Sequence, residues 1–121
     1  MVLTNAVLSS IKTAVKTQII TDFTHVDFGT GTTAVTSADT DMETSVVRNA
    51  RQDYTSLSND IIISGFLGSG QANGSSITEI GCFDAASAGN MQEHALITAV
   101  VKTSSKELWI DIRNKLTVTQ S

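Results

Sequence analysis

Residues 60–68 read DIIISGFLG, residues 76–84 read SITEIGCFD, residues 92–101 read QEHALITAVV, and residues 107–118 read ELWIDIRNKLTV. All four runs are rich in Ile, Val and other apolar residues. A glycine-rich stretch (69–75), a small-residue stretch (85–90) and a polar stretch (102–106) separate them. β-Branched runs bounded by such turn chemistry read as strands, and the short connections predict an antiparallel meander. The run 61–67 is apolar on both faces, which suits a central strand covered on both sides. Gly65 within it and Gly68 at its end predict a bulge or a close neighbouring backbone. In the last run Leu108, Ile110 and Ile112 form an inner row, and Trp109, Asp111 and Arg113 an outer one.

Toward the N-terminus the period changes. Leu3, Val7, Leu8, Ile11, Val15 and Ile19 recur at steps of three to four, which predicts a helix over residues 1–20 with Thr4 or Asn5 as its cap. Two readings stay open for its apolar face. It packs on the sheet, or it is an arm that packs on a neighbouring subunit. Residues 19–28 shift to alternation and read as a strand, followed by the Gly29–Gly31 turn. Residues 36–47 suggest a short helical turn capped by Ser37 or Asp39. The polar run 46–56 reads as one edge or surface strand. The expected organisation is a helix or arm over 1–20 and a mainly β domain, an antiparallel β-sandwich, over 21–121.

At 121 residues the chain holds one domain with a real core. Charged residues make up 17%, below the usual quarter or so. Thr and Ser number 31, which suits pleated sheet and turns. Net charge is −4, and an acidic chain without a basic face argues against nucleic-acid binding. No run approaches the roughly 18 apolar residues of a membrane span, and no basic region precedes the first apolar residues, so neither membrane insertion nor a signal peptide is expected. Cys82 is the only cysteine, so an intrachain disulfide is impossible. It reads as a buried small hydrophobe.

The residues give little to catalysis. Gly29-Thr30-Gly31 lacks the following helix and lysine of a phosphate cradle. Asp39, Asp41 and Glu43 alternate like the start of a calcium loop, without its glycine or distant glutamate. His25 and His94 are the only histidines, and with one cysteine they make no recognised zinc spacing. No nucleophile elbow is present. Glu79, Asp84 and Glu93 lie near turns, where a carboxylate pair is conceivable on any surface. No enzyme activity and no cofactor are expected.

Three segments taken together carry a resemblance: residues 28–34 (FGTGTTA) followed by Asp39-Thr40 and 46–48 (VVR), residues 71–83 (QANGSSITEIGCF), and residues 102–108 (KTSSKEL) leading into 116–118 (LTV). Their order over about residues 26–118 resembles small structural proteins of tailed bacterial and archaeal viruses, of the tail-fibre-like, neck or capsid-surface kind. Cys82 departs from that pattern, standing where a larger aliphatic residue is expected. The resemblance implies a mostly β module present in several copies, assembled in the host cytoplasm and located in the virion, with other virion proteins as partners. The expected interface comprises Leu3, Val7, Ile11 and Val15 on the helix, Gly29 and Gly31 in the turn, Tyr54 on the polar strand, and Trp109. The rival expectation is a ligand-binding β module that meets a host-surface glycan through Trp109 or Tyr54.

Overall fold

The computed structural model describes residues 2–118. Helix α1 (Asn5–Asp22) is followed by β1 (His25–Gly29), β2 (Ser45–Ala50), β3 (Asp53–Ser56), β4 (Asp60–Leu67), β5 (Ser76–Phe83), β6 (Met91–Val101) and β7 (Leu108–Lys115). The strands form two antiparallel sheets, one in the order β2-β1-β5-β6 and one in the order β3-β4-β7. The expected β-sandwich with an N-terminal helix is the fold observed. The end of the expected β domain, residues 119–121, lies outside the described residues.

The core lies between the sheets. Val26 and Phe28 from β1, Ile61, Ile63 and Leu67 from β4, and Ile80 and Cys82 from β5 are buried together. Ile110 and Ile112 of β7 pack against them, as the alternation over 108–112 predicts. Burying each large apolar side chain stabilises by about 1.5–3 kcal/mol. Gly65 marks a close approach of the two layers. A Cβ there would stand 2.8 Å from Val26 Cγ1 and 3.0 Å from the Phe28 ring, so what crowds Gly65 is core side chains, neither a bulge nor a neighbouring backbone, and Gly68 has no tight neighbour.

The meander is narrower than the run of four strands suggests. Of those four strands only β5 and β6 pair consecutively; β4 and β7 pair with each other in the second sheet. The connections before β5 and after β6 therefore cross between sheets. Gly74 N–H bonds Lys102 O, and Lys102 N–H bonds Ser75 O, tying the two crossings together. Lys102 is 1% exposed and donates its ammonium to Asn73 Oδ1 and Thr103 O, both at 3.0 Å.

The polar run 46–56 is two edge strands, not one. Arg51 N–H bonds Thr24 O beside the first sheet, and the next amide, Gln52 N–H, bonds Ser64 O in the second. The chain changes sheets between those two residues. Helix α1 also runs past 20, to Asp22, and the strand expected over 19–28 begins only at His25. Ile19 and Phe23 continue the four-residue step of Val7, Ile11 and Val15. Phe23 is buried and its N–H bonds Ile19 O at 2.8 Å. Thr4 caps the helix, its Oγ1 accepting from Val7 N–H.

Candidate functional site

Residues 30–44 form no helix or strand. They cross the outer face of the four-stranded sheet as a strap. Met42 is its apolar anchor, seated over Gly81, where a Cβ would stand 2.6 Å from the Met42 sulfur. The polar anchor is Glu79 of β5, whose side chain is fully buried. Its carboxylate accepts from Gly31 N–H at 2.9 Å and Thr44 N–H at 3.2 Å, and also from Glu43 N–H. A buried carboxylate without such donors costs several kcal/mol. Here both oxygens are used by strap amides and by His94.

His94 of β6 sits between two carboxylates. Nδ1 lies 2.7 Å from Asp39 Oδ2 on the strap, and Nε2 lies 2.8 Å from Glu79 Oε1. The ring is 9% exposed, the Asp39 side chain 26%. Burial by itself would lower the His94 pKa, but the bonds and charges of Asp39 and Glu79 outweigh it and hold it above 6.5. Burial would likewise raise Glu79. The Glu43 N–H, the His94 ring and the Thr44 and Gly31 amides bring it below the ordinary carboxylate value. Asp39 is lowered by Thr36 N–H first and His94 second. A general base must aim one nitrogen at a substrate. Both nitrogens of His94 are engaged with carboxylates, which makes the ring a fastener in this geometry. Open depressions of about 390 and 310 Å³ flank the trio, sharing His94 and Asp39 in their walls.

A second buried pair lies on the same sheet face. Arg48 Nε meets Asp27 Oδ2 at 2.9 Å, its guanidinium lies 3.6 Å over the Phe83 ring, and it donates to Ala85 O and Ala88 O. It ties β2 to the connection between β5 and β6.

The candidate residues fall into two groups. Gly29 and Gly31 are buried, so the turn expected to contact a neighbour is occupied by the chain's own Glu79 and strap; a Cβ on Gly31 would stand 2.7 Å from Glu43 Cβ. Asp39, Asp41 and Glu43 do not converge on one point. Asp39 accepts from Thr36 and faces His94, Asp41 accepts from Met42 N–H, and Glu43 accepts from Thr33 N–H. The helical turn expected there is a plain turn, with Asp39 closing back on Thr36. Among the described residues no group of three or more His, Cys, Asp or Glu is placed to hold a metal ion.

The other candidates are on the surface. No residue of α1 is buried, and Leu3, Val7, Ile11 and Val15 are exposed by 38 to 44%. At 100° per residue these four span one side of the helix. The body is met by another side, through Ile19, Ile20, Lys12 and Lys16; Lys12 Nζ bonds Asn59 Oδ1 at 2.7 Å and Lys16 Nζ bonds Leu57 O at 2.9 Å. Tyr54 is exposed under the Arg51 guanidinium. Trp109 is 52% exposed, packs edge-on against Phe66, and donates its indole N–H to Asp111 at 2.8 Å. Strands β6 and β7 are the unpaired edges on one flank, and a mainly apolar cleft of about 260 Å³ opens between them, with Ile97, Ile112 and Glu93 in its walls.

The sequence reading missed the Asp39–His94–Glu79 trio. One signal was available: Glu79 is the only charged residue of its strand and stands in the row Ile77, Gly81, Phe83. A charge in that row needs a partner laid over it. No helix among the described residues is long and apolar enough to cross a membrane. No family model, no curated protein and no solved structure matches the chain.

Proposed function

We propose that this chain is a non-enzymatic structural subunit that assembles with copies of itself, and that it does so on the tail, neck or capsid exterior of a tailed virus. The observation that carries the self-assembly is the exposed stripe Val7, Ile11 and Val15 on a helix with no buried residue. Soluble chains display single apolar residues freely, but an aligned row on one helix side is the pattern of a contact surface. The face carries no charge between residues 3 and 15 apart from Lys12, which points toward the body. An uncharged face meets its own copy without like-charge repulsion. The place in the particle rests on the order of the glycine-turn and strand segments described above.

Concentration-dependent sedimentation of the full chain tests the assembly. The expected result is a ring, trimer or other closed oligomer that Ile11→Asp shifts to monomer while the circular dichroism spectrum is unchanged. A native chain that stays monomeric at millimolar concentration would overturn the proposal.

The exposed indole of Trp109 beside Asp111 favours a second reading, a glycan-binding module for host attachment. A sugar ring would stack on the indole and its hydroxyls would reach the carboxylate. Binding on a glycan array that disappears in Trp109→Ala would support it, and an array without signal would remove it.

A further inference from the structure

We propose that Asp39, His94 and Glu79 form a proton-operated clasp, which holds the strap 30–44 on the four-stranded sheet while His94 is an imidazolium and frees the outer half of the strap when that proton leaves. The inference is independent of the assembly and virion readings.

The geometry sets the terms. Two carboxylate oxygens, acceptors only, face the two nitrogens of one ring at 2.7 and 2.8 Å. An imidazolium donates from both nitrogens, while a neutral imidazole has one N–H and one lone pair. Losing the proton must therefore turn one of the two bonds into a lone pair facing a carboxylate. The two carboxylates are not equivalent. Glu79 is fully buried and is held by the Gly31, Glu43 and Thr44 amides, whereas Asp39 is partly open to water. The remaining N–H stays on Glu79 and Asp39 is released. Residues around Thr36 to Asp39 then lift, while the strap end at Glu43 and Thr44 stays bound.

Other charges facing the ring act in the same direction or cancel. Asp41 and Glu43 of the strap share a depression with His94, and Glu93 precedes it on β6 and lines the other. Along the sheet row, His94 is opposite Gly81, Gly81 opposite Asp27, and Asp27 opposite Arg48. Those last two neutralise each other. The sign follows from the directions of the shifts. The His94 pKa is raised above 6.5, so its contribution is complete below 6.5 and is lost as pH climbs through the raised value. Asp39 and Glu79 are lowered, so theirs is present above 3.8 and 4.5 and is lost only as pH falls through the lowered values. The clasp is shut between those limits and opens on the alkaline side first.

Nuclear magnetic resonance of the full chain from pH 5 to 10 tests this. The His94 ring is expected to titrate with a midpoint above 6.5. Across that midpoint, hydrogen-exchange protection of the Asp39 amide, which bonds Thr36 O, should fall in a single step. The Glu43 and Thr44 amides should keep theirs. Asp39→Asn should move the ring midpoint down and abolish the step in strap protection. A native ring midpoint at or below 6.5, or Asp39 protection that is flat through the titration, would overturn the clasp. Both decisive readings come from the native chain, so a variant that folds poorly does not blunt them.

Discussion

Two segments lie outside the sandwich proper, and they are attached in opposite ways. The strap 30–44 is fastened from beneath, by a buried glutamate that collects three of its amides and by Met42 over Gly81. Helix α1 is attached at its C-terminal end through Ile19, Ile20 and Phe23, and along its length by two exposed lysine bonds. The strap hides Met42 and leaves a single large apolar residue, Val35, outside, whereas the helix shows a row of them. A segment that satisfies its own groups within the chain belongs to the fold. A segment that leaves an apolar row outside is where the proposed contact between copies would form.

The strongest attempt to break that contrast is Glu79→Ala. It strands three amides and one face of His94, and should cost about 3–5 kcal/mol in urea unfolding. A loss below about 1 kcal/mol would mean the strap is no better fastened than the helix. Gly31→Ala comes next. Its new Cβ would run into Glu43 Cβ and the pinned Glu79 carboxylate, and about 1–3 kcal/mol should be lost. On the helix the same measurement should be quiet. Ile11→Ser should change monomer stability by about 0.5 kcal/mol or less, while weakening self-association in sedimentation. Smallest of all, Lys16→Ala removes one exposed bond to Leu57 O and should shift stability by a few tenths of a kcal/mol at about the level of exposed polar contacts. An unfolding change above 1.5 kcal/mol or so in Ile11→Ser would show that the helix face is part of the core after all.

What the sequence could tell follows the same division. The strands of the core were legible because 61–67 is a short run, apolar on both faces, between turn residues and Leu108, Ile110 and Ile112 alternate, and both are local properties. The sheet assignment was not. Nothing local distinguishes Arg51, bonded to Thr24, from Gln52, bonded to Ser64, yet the chain changes layers there. The helix was legible to its last turn, where Ile19 and Ile20 fit either period. The trio was the hardest to see. His94 and Glu79 are on neighbouring strands, but Asp39 arrives from 55 residues away, and long-range polar closure leaves no periodic mark. Gly29 and Gly31 show the same gap: an open-looking glycine turn in sequence is a tight seat for Glu79 in space.

The single thiol has a use that follows from its position. Cys82 is 1% exposed near the C-terminal end of β5, and burial pushes its pKa up, so almost no thiolate exists at neutral pH. It lies in the wall of the cleft between β6 and β7, so a labelling reagent reaches it when that flank of the sandwich widens. The chain thus carries its own clock for that flank: the rate of modification should follow opening between β6 and β7 and stay indifferent to the strap or the helix coming loose.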